Sequence, residues 1–294
     1  MNATPQSIAT RPGAAISDAQ FKTLSEIAFS EAGLMISDSK RQMIQSRITR
    51  HLRDIRCDDL EHYLREIQSD KDGNLTRDLI SVLTTNVSSF FRERHHFDML
   101  RDDVLPGLVK RARSGHKIRI WSAGCSSGQE PYSIAMLLLN CLPDIQNLDF
   151  KVLGTDIDRK ILDRAHRASY SPDEMASLPS EMSRKYLIST QDPKAPYEIS
   201  GVVRNMVTLR PLNLLRPWPM KSTFDAIFCR NVLIYFDAET QNDLWPRFHA
   251  ALGDQGTLFL GHSERIQSPE KVGFSPCGVT TYTKQNLGKV RPEP

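Results

Sequence analysis

Residues 117–140 read KIRIWSAGCSSGQEPYSIAMLLLN, and residues 148–158 read LDFKVLGTDID. The first apolar run ends at a turn that contains Gly124 and Gly128, and a helical pattern follows directly. The second apolar run ends at Asp156. Together they predict a strand, a ligand-binding loop, a helix and a second strand with a carboxylate at its tip. This arrangement is typical of a site for a nucleoside-bearing cofactor.

The composition excludes several classes of protein. With 39% hydrophobic and 25% charged residues, the 294-residue chain has the profile of a globular protein with one large or two ordinary domains. No apolar run approaches the roughly 20 residues that span a bilayer, and the N-terminus lacks a signal sequence, so we expect a cytoplasmic protein without membrane insertion. Five cysteines without a CxxC pair indicate no structural zinc. A net charge of +3 is too small to indicate nucleic-acid binding.

The sequence divides into a helical part and an α/β part. We predict a helical N-terminal domain over residues 16–85, a linker over 86–97 and an α/β domain over 98–285. The polar ends, residues 1–15 and 286–294, are predicted to be disordered tails.

Strands alternate with helices in the α/β part, which predicts a parallel, doubly wound sheet with helices on both faces. Short β-rich runs at about 186–205 interrupt this alternation and predict a small inserted antiparallel β-subdomain. The predicted strands of the main sheet cover residues 117–122, 151–155, 206–210, 224–228, 256–261 and 279–284.

The second predicted helix, which starts near Asp38, carries an arginine face. Its isoleucines and leucines form one stripe, and Arg47, Arg50 and Arg53 fall on the opposite side. This face is either a solvated surface or a binding surface for an acidic partner.

The glycine loop is compatible with two different cofactors. It matches neither GxGxxG nor the phosphate-binding P-loop pattern, and Pro131 suits the first turn of a helix. Asp156 follows Gly124 by 32 residues and could accept hydrogen bonds from both ribose hydroxyls. NAD and S-adenosylmethionine both satisfy this geometry.

Two further segments carry polar groups. Residues 224–237, FDAIFCRNVLIYFD, predict a buried strand that ends at Arg230 and Asn231, with Tyr235 just beyond. This segment lacks the Asp/Asn-Pro-Pro-aromatic turn that is typical of amino-group methyltransferases. Residues 83–97, LTTNVSSFFRERHHF, are rich in polar side chains, but we expect His95 and His96 to point to different helix faces and to bind no metal.

These segments resemble the chemotaxis receptor methyltransferase (CheR) family. The resemblance spans residues 17–284 and rests on TTNVSSFFRERHHF, IWSAGCSSGQEPYSIA, LGTDID, LNLL, CRNVLIYFD and GHSE, in that order. It implies a class I S-adenosylmethionine-dependent methyltransferase fold with an all-helical N-terminal domain and a small β-subdomain. It also implies methylation of glutamate side chains of chemoreceptors to γ-methyl esters, without a metal ion.

The resemblance assigns roles to individual residues. Tyr235 would help to position the reacting groups, and Arg47, Arg50 and Arg53 would contact the glutamate-rich receptor helices. The family usually has Thr where Ser88 stands, but the hydroxyl is kept. The residues that match cofactor contacts are Asn86, Ser88, Arg92, Gly124, Glu130, Asp156, Asn213, Leu214, Arg230 and Asn231.

The resemblance also implies partners. A receptor C-terminal tail would bind the β-subdomain in some members, and the enzyme is expected to act as a monomer recruited to receptor arrays. Two alternatives remain: a methyltransferase for RNA or a small molecule, and a cofactor-binding regulator that has lost catalysis. The presence of Arg92, Asn231 and Tyr235 disfavours the second.

Overall fold

The computed structural model describes residues 15–285, and its contacts divide the chain into two compact units. The first unit ends at Thr85 and the second begins at Asn86, which is the predicted start of the linker. The predicted disordered tails lie outside the described residues, apart from position 15. No helix within the described range is long and apolar enough to cross a membrane.

The described part of the first unit is helical, as the sequence predicts. Its α-helices are α1 (Asp18–Ala32), α2 (Arg41–Asp54), α3 (Leu60–Ser69) and α4 (Asn74–Leu83). α1 begins with a capping box, in which Ser17 and Gln20 bind each other's backbone. α2 buries two of the predicted isoleucines, but its third buried residue is His51, which lies 2.9 Å from the Tyr63 hydroxyl. The predicted stripe therefore ends earlier than expected, and Ile55 is exposed.

The second unit contains eight α-helices and ten strands among its described residues. The helices are α5 (Arg94–Met99), α6 (Leu105–Arg113), α7 (Gln129–Cys141), α8 (Arg159–Arg167), α9 (Pro172–Met175), α10 (Ser180–Tyr186), α11 (Gly201–Arg204) and α12 (Ala238–Ala251). The strands are β1 (Ile118–Ala123), β2 (Phe150–Asp156), β3 (Ser169–Tyr170), β4 (Leu187–Ser189), β5 (Tyr197–Ile199), β6 (Val207–Pro211), β7 (Phe224–Cys229), β8 (Leu252–Leu260), β9 (Phe274–Gly278) and β10 (Thr281–Lys284).

Seven strands form the main sheet, in the order β6-β2-β1-β7-β8-β10-β9. The first five are parallel, which confirms the predicted doubly wound arrangement, whereas β10 pairs antiparallel with both β8 and β9. The order reverses direction at β1, and the crevice at the carboxyl ends of β1 and its neighbours is where ligands bind in such sheets. The strand β9 was not predicted, because its sequence FSPCG lacks an alternating apolar pattern.

Hydrophobic cores cover both faces of the main sheet. Ile118 and Ile120 of β1 belong to the cluster that contains the apolar residues of α7, whereas Trp121 belongs to the cluster that contains Phe248 of α12. Strand β7 is buried along its whole length, as expected for a central parallel strand. Packing on both faces of the sheet therefore keeps the ends of its strands in fixed positions.

The β-subdomain is a three-stranded antiparallel sheet in the order β3-β5-β4. Strands β4 and β5 lie in the predicted segment, but β3 lies before it, so the subdomain begins earlier than expected. A two-residue strand carries no detectable sequence pattern. The end of the predicted segment, residues 201–204, forms α11 instead, and β6 that follows joins the main sheet as predicted.

Candidate functional site

The glycine loop after β1 is built by backbone geometry that only glycine adopts easily. Gly124 and Gly128 have φ angles of 82° and 94°, and Gly128 caps α7. A β-carbon at Gly124 would lie 2.2 Å from Cγ2 of Val232. The amides of Gly124 and Cys125 both donate to the Thr155 carbonyl at 2.8 Å, which ties the loop to the end of β2. Glycine at position 124 therefore makes room for the Val232 side chain beside the strand ends.

Asp156 ends β2 beside this loop. Its carboxylate accepts hydrogen bonds from the amides of Ser126 at 2.8 Å and Asp158 at 3.0 Å. Burial raises the pKa of Asp156 to about 6, although these backbone bonds favour the ionised form. Each carboxylate oxygen has two acceptor positions, so the group can still accept hydroxyls from a ligand.

Asn86, from the predicted linker, lies at the same strand end. Its side-chain amide donates to Asp158 Oδ2 at 2.7 Å, and its carbonyl accepts from the Ser126 hydroxyl at 3.1 Å. Asp158 also caps α8 by accepting from the amides of its first turn. The linker, the glycine loop and the end of β2 are thus joined, although 72 residues separate Asn86 from Asp158.

A buried ion-pair network lies at the end of β7. The side chain of Arg230 is only 2% exposed, and its guanidinium lies 3.0 Å from Glu130 Oε2 and 3.2 Å from Glu93 Oε2. It also donates to the Arg92 carbonyl. Glu130 accepts from Ser122 of β1 at 2.7 Å, and burial raises the pKa of Glu130 even though Arg230 opposes this effect. The network links the tips of β1 and β7, the first turn of α7 and the linker.

Glu93 is held in its ionised form. Burial alone would raise its pKa, but Arg230 and hydrogen bonds from His262 and Asn231 outweigh burial and lower the pKa to about 2. Its Oε1 lies 3.1 Å from His262 Nδ1 and 3.3 Å from Asn231 Nδ2. Glu93 therefore joins the ends of β7 and β8.

Asn231 adopts the left-handed conformation, with φ of 59°. The turn that contains it is held by the buried carboxylate of Glu264, which accepts five backbone N–H groups at 2.6–3.3 Å. These donors belong to Asn231, Val232, Leu233, Ile234 and Gly261. Burial raises the pKa of Glu264, and the backbone bonds act against this rise. This single side chain fixes the course of the chain beyond β7.

The other predicted linker residues, Ser88 and Arg92, are half-buried. The Arg92 guanidinium donates to the Val87 carbonyl at 3.1 Å, and its own carbonyl accepts from Arg230. Arg92 is therefore connected to the ion-pair network, and Ser88 lies in the same linker.

Asn213, Leu214 and Tyr235 are spread around this edge. Asn213 follows β6 and orders the next turn by accepting from the Leu215 amide at 2.9 Å. Leu214 is buried, and Arg247 of α12 donates to its carbonyl at 2.6 Å. Tyr235 is half-buried in the short helical turn beyond Asn231.

The predicted arginine face of α2 lies in the first unit and is not uniform. Arg50 and Arg53 are exposed, as expected for a surface that meets a partner. Arg47 is half-buried and donates to the carbonyls of Leu83 at 3.2 Å and Thr84 at 2.6 Å, at the end of α4. Arg47 therefore has a structural role in this unit.

The sequence reasoning did not assign Glu93, His262 or Glu264 to the site. All three lie in two of the motifs that carry the family resemblance, FFRERHHF and GHSE, so these motifs point to the region. Their roles depend on contacts with Arg230 and Asn231, which no local pattern reveals.

The expectation that His95 and His96 point apart is wrong, because their ring centroids lie 4.1 Å apart. Together with Glu93, they offer three ligand atoms within 4.8 Å of one another. The Arg230 guanidinium lies 3.2 Å from the same Glu93 carboxylate and 5.7 Å from the centre of the Phe97 ring. Because this cation already neutralises the carboxylate, we assign no metal to the cluster.

The residues at this edge fit S-adenosylmethionine better than NAD. In dinucleotide sites the pyrophosphate lies at the helix N-terminus after the glycine loop. Here the carboxyl group of Glu130 lies in the first turn of α7, and Glu93 lies nearby against Arg230. The Arg230 guanidinium can balance only one of these two carboxyl groups, so together they disfavour a pyrophosphate and favour a sulfonium or an ammonium group. The Asp156 carboxylate keeps acceptor positions that the ribose hydroxyls of either cofactor could use.

Comparison with known proteins agrees with this geometry. Residues 86–283 match the family described as CheR methyltransferase, SAM binding domain, and residues 19–84 match CheR methyltransferase, all-alpha domain. A probable chemotaxis protein methyltransferase of Rhizobium etli is 40% identical over 264 residues, which cover 89% of this chain and 98% of the relative. The chemotaxis protein methyltransferase of Escherichia coli is 38% identical over 270 residues, 91% of each chain. The chain belongs to the CheR methyltransferase family.

Proposed function

We propose that this protein methylates glutamate side chains of chemoreceptors and produces γ-methyl esters. The observation that carries this proposal is the carboxyl edge of the sheet. There, Asp156 at the tip of β2 and the Arg230–Asn231 pair at the tip of β7 flank the glycine loop at Gly124. The family and its relatives support a methyltransferase that acts in chemotaxis.

The chemistry needs positioning more than acid–base catalysis. When bound, S-adenosylmethionine would supply an electrophilic methyl group to an acceptor oxygen. The electron pair of the broken S–CH₃ bond would stay on sulfur, and no proton transfer is required. A glutamate carboxylate has a pKa of about 4.3 and is already ionised at neutral pH. The protein therefore needs no general base, only groups that hold the reactants in line.

The roles of the cofactor-binding residues follow from their surroundings. Asp156 would accept the ribose hydroxyls, with Asn86 and Ser88 beside it on the linker, and Asn213 and Leu214 would border the adenine.

Glu130, Arg230, Asn231 and Arg92 would surround the methionine end, where the buried ion pairs fix their positions. Tyr235, in the turn just beyond Asn231, would position the reacting groups.

The receptor would contact the exposed arginines of α2. Arg50 and Arg53 can steer and orient a glutamate-rich receptor helix by charge. A receptor C-terminal tail could add a strand to the β-subdomain, where β4 is an edge strand. Such an enzyme would act as a cytoplasmic monomer at receptor arrays and would not bind nucleic acid.

The test is incubation with labelled S-adenosylmethionine and receptor cytoplasmic fragments, followed by alkaline treatment. Release of volatile labelled methanol is expected, because base hydrolyses a methyl ester. Label that resists base would indicate nitrogen methylation and refute the proposal. Filter binding to RNA at physiological salt tests the alternative substrate, and no retention is expected.

The cofactor assignment has its own test. Replacing Asp156 with Ala should weaken S-adenosylhomocysteine binding severely in calorimetry, since the ribose loses its acceptor. Unchanged affinity would refute the ribose assignment without refuting the methyl acceptor.

A further inference from the structure

His262 is an exposed side chain on a rigid backbone. It lies in the turn after β8, where the Glu264 amide donates to the Gly261 carbonyl at 2.9 Å. The Glu264 carboxylate also accepts the Gly261 amide at 2.6 Å, while it holds the turn at Asn231. The side chain of His262 is nevertheless 64% exposed.

The imidazole ring of His262 is held in place, as the backbone of this residue is. Nδ1 lies 3.1 Å from Glu93 Oε1, and the pKa of Glu93 near 2 keeps this carboxylate an acceptor at neutral pH. Nδ1 must therefore carry a hydrogen and donate it. An exposed histidine normally samples several rotamers, so a ring held in this way is preorganised to meet a ligand. The nitrogen left available is Nε2, for which the described residues provide no hydrogen-bond partner.

The imidazole ring lies close to the proposed methyl-transfer point. Asn231 Nδ2 binds the same oxygen, Glu93 Oε1, at 3.3 Å. His262 and Asn231 are therefore separated by no more than two hydrogen-bond lengths. Asn231 belongs to the proposed cofactor site, and His262 lies beside it with its outer edge exposed.

We infer that His262 binds the carboxylate of the methyl-accepting glutamate through Nε2 and selects it over neutral side chains. The inference rests on the proposed glutamate substrate. In this arrangement Nδ1 donates to Glu93 and Nε2 donates to the acceptor carboxylate, so the ring bridges two anions. One acceptor oxygen contacts His262 while the other takes the methyl group.

The direction of the charge change determines what this contact contributes. The acceptor is an anion before transfer and a neutral ester afterwards. A charge-assisted hydrogen bond is therefore strongest in the ground state and weakens along the reaction. Such a contact contributes to substrate affinity and selection rather than to kcat, and its loss on methylation favours product release.

The experiment uses His262→Asn and His262→Gln in the full chain. The Asn amide can reach Glu93 but does not extend to the position of Nε2, whereas the Gln amide extends to that position and donates there. His62→Asn is the matched control, because His62 is a 56% exposed imidazole that lies 3.4 Å from Glu66 in the other unit. Affinity is measured with S-adenosylhomocysteine bound, for receptor fragments with Glu or Gln at the acceptor position.

His262→Asn is expected to reduce the preference for the Glu fragment about tenfold and to raise KM about tenfold, with kcat changed less than about twofold. His262→Gln should recover most of the affinity, and His62→Asn should match the unaltered protein. Cofactor affinity should stay the same in all three.

Two results would overturn the inference. The first is an unchanged Glu-to-Gln preference in His262→Asn. The second is a parallel loss of cofactor affinity, which would give the residue a purely structural role. If the unaltered protein places no base-labile label on the receptor fragment, the proposed function fails, and the inference fails with it. Normal labelling with an unchanged preference refutes the inference alone.

Discussion

Replacement of Glu264 by Gln should destabilise the second unit and weaken cofactor binding together. Oε1 accepts three backbone N–H groups and Oε2 accepts two, and a Gln oxygen can take the place of only one of these atoms. The better orientation leaves the amides of Asn231 and Gly261 facing a donor. Two buried unsatisfied donors cost about 1–3 kcal/mol each.

The neutral side chain also avoids the cost of burying a charge, which offsets part of this loss. The expected net loss is about 3 kcal/mol of unfolding free energy, or a fall in Tm of roughly 10 °C for a unit of this size. Asn231 should then leave its left-handed conformation more often, so we expect about tenfold weaker binding of S-adenosylhomocysteine.

Urea unfolding and calorimetry at neutral pH measure the two effects. Glu270→Gln is the matched control, because Glu270 is exposed and its replacement should change stability by less than about 0.5 kcal/mol. A Glu264→Gln protein with the stability and cofactor affinity of this control would contradict this prediction. It would mean that the turn at Asn231 holds its conformation without the carboxylate.

Three other predictions concern Asp156, the arginines of α2 and Gly124. Burial raises the pKa of Asp156 from 3.8 to about 6, so its contribution to stability is present below pH 3.8 and is lost as the pH rises through 6. Relative to Asp156→Asn, the unfolding free energy of the cofactor-free protein should fall by about 2 kcal/mol between pH 4 and pH 7 in denaturant titrations. Charge reversal of Arg50 and Arg53 should abolish receptor methylation in a labelling assay without changing cofactor affinity. In contrast, Arg47→Ala should lower the unfolding free energy by about 2 kcal/mol in urea unfolding, because the carbonyls of Leu83 and Thr84 lose their donor. Gly124→Ala should weaken cofactor binding at least tenfold by calorimetry, since its β-carbon would collide with Val232.

The sequence predicted the parts of the site that depend on strand ends. Asp156 and Asn231 each follow a buried apolar run, and parallel strands bring their carboxyl ends to one edge of the sheet. The positive φ of Gly124 likewise follows from a tight turn between a strand and a helix. The local sequence pattern and the sheet topology are therefore enough to predict where these residues lie.

The sequence could not predict contacts that depend on tertiary packing. A helical wheel places Arg47 with Arg50 and Arg53, but only the structure brings the end of α4 to Arg47. Glu264 likewise reads as one more polar residue in a turn until its five backbone donors are known. The antiparallel strand β9 was missed for a related reason, since its pairing with β10 determines it more than its own composition does.

Glu93 connects the two halves of the proposed reaction. Through Oε2 it pairs with Arg230, on the side where the cofactor would lie, and through Oε1 it holds Asn231 and His262. Its left-handed backbone, with φ of 55°, costs free energy that the surrounding contacts must offset. Glu93 belongs to the linker that also carries Asn86, so one linker carboxylate contacts both the proposed cofactor site and the proposed acceptor site. The same carboxylate therefore orients the imidazole that we propose selects the glutamate before any ligand binds.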